Sequence, residues 1–217
     1  MNTETHEITS LKKRSDLHVA RKIWHMSGVF LIFVLFNYIP YSWSIALLIM
    51  GWLLFVPMDI MRQQNQKLND WVVNVFRPIM RNSEVKRLAG TSYLLSGVLL
   101  LLLFFPRPIA SLTLLFLAFA DPIASYVGIK WGRDKIMGRK SIQGTIAAFA
   151  VCATSTFSFI VYYNFLSERV IVVSLIAGLI GALAELVPIW KLDDNFTLPL
   201  LSAIGLSILF FFFGITT

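Results

Sequence analysis

Charged residues are scarce in this chain, and cysteine is almost absent. Of its 217 residues only 14% are charged, whereas 57% are hydrophobic, a balance that excludes an ordinary soluble domain. Cys152 is the single cysteine, so no disulfide forms within the chain, and we interpret it as a small apolar residue. We also find no internal repeat and no cleavage site typical of a removable signal peptide. These absences favour an integral membrane protein.

Seven apolar runs are present instead. Each is close to the roughly 20 residues that a helix needs to cross a bilayer. The third run is comparatively poor in apolar residues. The sequence predicts an all-α membrane protein with about seven transmembrane helices in one domain, 23–217, after a basic cytoplasmic segment, 1–22. The runs cover approximately 23–39, 42–60, 91–106, 108–129, 141–165, 170–189 and 196–215.

The basic residues fall on one side of these runs. If the N-terminus is cytoplasmic, every Lys and Arg except Arg107 and Arg169 lies on the cytoplasmic side. The positive-inside rule then predicts an inside N-terminus and an outside C-terminus. The net charge of +7 therefore indicates membrane topology and not nucleic-acid binding. Apolar and basic residues alternate at helical spacing around 66–82, which predicts an interfacial amphipathic helix.

An acidic residue, Asp121, interrupts the fourth run. A charge within a membrane span is costly and indicates a functional site by default. Ser125 lies four residues later on the same helical face, and Pro122 lacks a backbone N–H, so it frees a carbonyl nearby. A buried polar contact to another helix is the alternative interpretation of Asp121.

A basic, glycine-containing loop leads from this helix into the next. It differs from a Walker A loop, because Arg139 separates Gly138 from Lys140 and both flanks are membrane helices. Ser141 is predicted to cap the next helix, which would leave its first turn open to a phosphate. Ordinary positive-inside charge is the alternative for the lysines. The candidate phosphate-binding residues are Gly132, Lys135, Arg139, Lys140, Ser141, Gly144 and Thr145.

Two further groups of polar residues lie near the ends of other spans. Arg21 and His25 share one face of the first helix beside Lys22, either as a phosphate clamp with a proton-handling histidine or as an interfacial anchor. Asp59 and Arg62 are spaced to pair on one helix, as part of the site or as a salt bridge.

Acidic residues also close the sixth run and precede the seventh. Glu185 is a second carboxylate within a span, and adjacent acids suit Mg²⁺. Asn195 is a candidate N-cap of the last helix as well as a candidate ligand. The candidate metal-binding residues are Asp121, Glu185, Asp193, Asp194 and Asn195.

Together these motifs resemble the membrane family of CTP-dependent lipid-alcohol kinases, which includes dolichol kinase, phytol kinase and CTP-dependent diacylglycerol kinase. In that family the K-S/T-x-E-G-T element is associated with nucleotide binding, and Gln143 stands here where an acid is usual. The matching segments are R-K-I-W-H-M-S-G at 21–28, D-I-M-R at 59–62, G-T-S-Y at 90–93, A-D-P-I-A-S-Y-V-G-I-K-W-G at 120–132, G-R-K-S-I-Q-G-T at 138–145, and E-L-V-P with D-D-N-F-T-L-P at 185–199.

The resemblance implies transfer of the γ-phosphate of CTP to a membrane lipid alcohol, with Mg²⁺ as cofactor and the site facing the cytoplasm. The membrane would be the inner membrane of a bacterium or the endoplasmic reticulum of a eukaryote, and a homo-oligomer is compatible with it. The loop residues would bind the nucleotide. Asp121, His25 and Glu185 would be catalytic. The substrate or its phosphate would contact Arg21, Lys22, Asp59, Arg62 and Ser125.

Two alternatives come from other functional classes. The related phosphatidate cytidylyltransferases make a CDP-lipid, but their final D-R-x-D signature is absent here. A proton-coupled transporter would also need acids within the membrane, but the chain has no inverted repeat.

Overall fold

The computed structural model describes residues 18–138, 140–165, 168–189 and 192–215, which form a bundle of apolar helices. Among these residues five helices are long and apolar enough to cross a membrane, and two more, Gly90–Phe104 and Val170–Leu186, are apolar but shorter. An integral membrane protein is therefore indicated. The elements are α1 (Val19–Tyr38), α2 (Tyr41–Gln64), α3 (Gln66–Phe76), a 3₁₀ turn (Asn82–Glu84), α4 (Gly90–Phe104), α5 (Arg107–Leu115), a π-helical segment (Phe116–Ala120), α6 (Asp121–Lys130), β1 (Lys135–Met137), β2 (Lys140–Ser141), α7 (Ile142–Tyr162), α8 (Val170–Leu186) and α9 (Asp194–Phe212).

Two local features differ from the sequence prediction. The helix expected around 66–82 ends at Phe76, because Pro78 has no backbone N–H and cannot donate the hydrogen bond that would continue the helix. The basic loop contains a short antiparallel hairpin of β1 and β2, so the fold is not entirely α-helical. Gly138 makes that turn possible, since its φ of +57° is unfavourable for residues with a side chain.

The helix from Arg107 to Lys130 is the centre of the bundle. The side chains from Ile109 to Leu114 are almost entirely buried, and so are those of the π-helical segment apart from Phe119. Helices α1, α7, α8 and α9 pack around it. Asp121 therefore projects from a largely enclosed helix, and other helices supply its surroundings.

Close packing of α8 on α7 positions Glu185. A Cβ on Gly181 would lie 2.3 Å from the Sγ of Cys152, and one on Gly178 would lie 2.9 Å from the Cβ of Ala153. Only glycine permits this approach. Cys152 is fully buried in the contact, as expected of an apolar residue. As a result, the C-terminal end of α8 lies near Ser141, where α7 begins.

Candidate active site

One end of the bundle contains a polar cavity of about 380 Å³. Its walls come from α1, α6, α7, α8, α9 and the hairpin, elements far apart in the chain. Most of the residues predicted from the sequence line it: Arg21, Lys22, His25, Asp121, Ser125, Lys135, Lys140, Ser141, Gly144, Thr145, Glu185, Asp193, Asp194 and Asn195. Asp59, Arg62 and Gly132 do not line it, and Arg139 lies outside the described residues.

Pro122 has the effect on the central helix that the sequence predicted. The helix widens to a π-helical turn just before it, and the carbonyl oxygen of Leu117 accepts a hydrogen bond of 2.8 Å from Nε2 of His25. Because a carbonyl only accepts, Nε2 carries the proton, and Nδ1 of the neutral ring is an acceptor. His25 Nε2 also lies 3.9 Å from Oδ2 of Asp121. The structure thus orients a histidine that could take a proton beside a carboxylate.

Lys140 is held between two acids at the start of α7. Its Nζ donates to Oε1 of Glu185 and, over 3.1 Å, to Oδ2 of Asp194. Burial alone would lower the pKa of the Lys140 ammonium, but the charges of Glu185 and Asp194 outweigh burial and raise it above its usual range. Lys140 is therefore a permanent cation at the centre of the cavity.

The other basic residues of α1 are also engaged. Lys22 Nζ donates to Ser125 Oγ over 2.6 Å, which fixes α1 to α6. Arg21 makes a bidentate pair with Glu84, both distances being 2.7 Å, and donates to the Ile79 carbonyl. Both basic residues of the predicted phosphate clamp are thus bound to partners within the protein.

The loop is more tightly packed than the sequence suggested. Ser141 does cap α7, since its Oγ accepts from the Gly144 N–H. However, a Cβ on Gly144 would lie 2.8 Å from the Ala124 carbonyl, so α6 covers part of the turn expected to be open. A Cβ on Gly132 would lie 2.2 Å from the Gly128 carbonyl. These glycines permit close packing of α6, the loop and α7.

Gln143, which stands where the resemblance implies an acid, has a local role. Its Oε1 accepts from the Arg133 backbone N–H over 3.2 Å. The side chain therefore ties the start of α7 to the loop after α6.

The cap of α9 was predicted at the wrong residue. Asp193 is the N-cap, and its Oδ1 accepts from the backbone N–H of Asn195. Asn195 lies inside the helix and donates from Nδ2 to the Gly90 carbonyl. An acid is favoured at this position because it accepts from free N–H groups and complements the helix dipole.

Asp59 and Arg62 form a buried network at the end of α2. Arg62 Nε donates to Asp59 over 2.6 Å, and its other nitrogens donate to Asn69 and to three backbone carbonyls between 84 and 87. Asp59 also accepts from the Ala89 N–H and the Ser92 hydroxyl. With these contacts the pair holds α2, α3 and the start of α4 together, as in the salt-bridge alternative.

Three residues that surround the site are not predicted by the sequence motifs. His18 and Arg81 line the cavity, and Arg81 Nη1 lies 4.0 Å from Asp193 Oδ2. Burial acts to raise the pKa of the Glu84 carboxyl, but hydrogen bonds and charge from Arg21 lower it below its ordinary value. Glu84 is the one acid between Arg77 and Arg87, a stretch with four basic residues, and this contrast in charge could have indicated it.

The part of the chain that the structure describes contains no group of three or more His, Cys, Asp or Glu side chains arranged to hold a metal ion. Lys140 provides the positive charge between Glu185 and Asp194. Asp121 and Asp193 are the cavity carboxylates that do not contact Lys140 directly.

No protein-family model matches the chain, and no solved structure matches it. It is similar to the CTP-dependent diacylglycerol kinase 1 of Schizosaccharomyces pombe, with 37% identity over 142 residues, and to that of Eremothecium gossypii, with 29% over 206 residues. An uncharacterized protein of Rickettsia prowazekii is 31% identical over 191 residues. These alignments cover 59%, 86% and 85% of this chain and 64%, 65% and 91% of the relatives. The chain therefore spans just under two thirds of the two kinases.

Proposed function

We propose that the chain belongs to the CTP-dependent lipid kinase family and that it transfers the γ-phosphate of CTP to the hydroxyl of diacylglycerol at a membrane surface. The observation that carries this proposal is the polar cavity in which Lys140, two acids and the start of α7 meet His25 and Asp121. The names of the relatives make diacylglycerol the first acceptor to test, before polyprenols or phytol. They give no support to a cytidylyltransferase or a transporter.

Lys140 and the start of α7 are the proposed nucleotide-binding elements. A phosphate entering the cavity can share the Lys140 ammonium with Glu185 and Asp194, and the positive end of the α7 dipole favours the same charge. Lys135 lines the same wall from the hairpin. Arg139 remains part of this proposal from its position in the sequence.

His25 and Asp121 are the proposed groups at the acceptor. The lipid hydroxyl oxygen forms a bond to the γ-phosphorus, the bond to the β–γ bridging oxygen breaks, and CDP leaves. Nδ1 of His25 is oriented by the Leu117 carbonyl to take the hydroxyl proton, and Asp121 stabilises the imidazolium that results. Positioning and charge neutralisation are the main contributions of the protein in such reactions.

Mg²⁺ is compatible with the donors of the cavity. This ion prefers oxygen ligands and is often held by one or two carboxylates together with substrate phosphates. Asp121 and Asp193 could hold it. When bound, it would neutralise charge on the β- and γ-phosphates.

Product analysis tests the proposal. Purified protein in detergent should convert γ-labelled CTP and dioleoylglycerol to labelled phosphatidate and CDP. A cytidylyltransferase would instead release pyrophosphate from CTP and phosphatidate. Absence of labelled lipid with every alcohol and nucleotide tried would refute the kinase proposal.

The orientation of the helices is the second matter to test. From the distribution of basic residues we propose a cytoplasmic N-terminus and seven spans, with α4 and α8 included. Reporter fusions after Ser92 and Ser141 should report cytoplasm, and fusions after Tyr41 and Glu168 should report the opposite side. A cytoplasmic signal at Glu168 would contradict this topology and leave the bundle itself unaffected.

A further inference from the structure

A second cavity, of about 190 Å³, adjoins the polar one. It lies between α1, α2, α3 and α4, and its walls are mostly apolar. Arg21, His25 and Asn195 line both cavities, so the two meet at these residues. The main apolar contributors are Val29, Ile32, Phe55, Phe76, Leu94 and Leu95.

The face of α1 that lines this cavity changes in polarity along its length. Arg21, His25, Gly28 and Ile32 all contribute to the wall, and their spacing puts them on one helical face. At 1.5 Å per residue this face extends about 16 Å along the helix. It begins with a guanidinium, passes an imidazole and ends in aliphatic side chains, which matches a molecule with a polar head and a hydrocarbon body.

The charged groups of the cavity are paired with one another. Arg21 is neutralised by Glu84, and Arg62 by Asp59. Because both ion pairs are complete, neither guanidinium is left to bind an anion, and the cavity suits a neutral lipid better than a phosphate-bearing one.

Gly28 leaves space in the wall that α1 forms. A Cβ built on it would meet no atom within 4 Å, and the neighbouring Trp24 is 54% exposed on the surface of the bundle. At Gly28 the cavity therefore opens to the outer surface of α1, the surface that would face lipid in a membrane.

We infer that this cavity binds the hydrocarbon part of a neutral lipid alcohol such as diacylglycerol, which enters between the helices past Gly28. The hydroxyl then lies beside His25, where the two cavities meet. This inference rests on the proposed function, since it places the acceptor of that reaction. It makes Gly28 a determinant of lipid binding that does not contact the nucleotide.

Filling the open space beside Gly28 is the sharpest test of the lipid site. Gly28→Leu adds an isobutyl group to open space, so it should block the lipid without a clash in the protein. Gly51→Leu is the matched control, because a Cβ there also meets nothing within 4 Å and Gly51 lies on α2 outside the cavity lining. Gly28→Ala adds a single methyl group and should give a smaller loss.

The readouts are photocrosslinking and kinetics on the same preparations. A diacylglycerol with a diazirine on one acyl chain should label α1, α2 or α4 of the natural protein. We expect Gly28→Leu to reduce both the labelling and kcat/KM for diacylglycerol by at least about tenfold, with Gly51→Leu within about twofold of the natural protein. Equilibrium binding of labelled CTP should be unchanged in both.

The outcomes separate this inference from the proposed function. Crosslinks in the cavity without any kinase activity would leave the lipid site standing and remove the kinase proposal. Kinase activity with crosslinks outside these helices, or equal losses in Gly28→Leu and Gly51→Leu, would overturn the lipid site alone. If Gly28→Leu fails to fold, an undiminished crosslink in Gly28→Ala would likewise count against it.

Discussion

Asp121→Asn should leave a folded protein whose kinase turnover is at least two orders of magnitude lower. The substitution keeps the size and hydrogen bonding of the side chain and removes its charge. In the proposed reaction this charge stabilises a protonated His25, 3.9 Å away, and could hold Mg²⁺. Loss of one such electrostatic interaction typically costs about 3–4 kcal/mol in the transition state.

Turnover and the thermal midpoint, measured on one preparation, check this expectation. Asp134→Asn is the matched control, because Asp134 is exposed on the loop after α6 and does not line the cavity. A purely structural Asp121 would give the opposite result, with normal turnover in Asp121→Asn and an unchanged or higher midpoint, since a charge within the membrane has been removed. In that case Asp193 would become the leading carboxylate of the site.

Lys140→Ala should abolish measurable turnover and also destabilise the protein. The sequence alone suggests a lysine that is free to bind phosphate, but the structure shows Lys140 bound to Glu185, whose side chain is only 2% exposed. Removing one partner of such a pair leaves an uncompensated charge and typically costs about 3–5 kcal/mol. The thermal midpoint of the single variant should therefore fall.

A double variant separates the two roles of Lys140. Lys140→Ala with Glu185→Gln removes both charges, so the midpoint should recover, whereas turnover and CTP binding should stay low if the lysine neutralises a phosphate. Lys130→Ala is the control for loop charge, because Lys130 is exposed, its ammonium lies against Tyr126 and Trp131, and it does not line the cavity. Recovery of turnover together with stability would show that Lys140 acts only as a structural partner.

The local features of this protein follow from short stretches of sequence. Ser141 as a helix cap and the carbonyl freed by Pro122 depend on hydrogen bonds within a few residues, so spacing alone predicts them. The apolar runs predict the membrane class for the same reason, since each helix satisfies its own backbone in a bilayer. The hairpin and the end of α3 were missed although Gly138 and Pro78 signal both.

The partners of the polar residues were decided by tertiary structure. Lys140 and Glu185 are 45 residues apart, and Lys22 and Ser125 are 103 apart, so helical periodicity gives no information about their pairing. Whether Arg21 faces a phosphate or Glu84 depends on how the segment after α3 folds back on α1, and the sequence leaves both open. The apolar cavity is likewise the space that α1, α2, α3 and α4 leave between them. The sequence determined which residues are costly to bury, and packing of the helices decided which of them meet. The cost of burial depends on the chemistry of each side chain, whereas a contact requires two helices at a fixed distance and rotation.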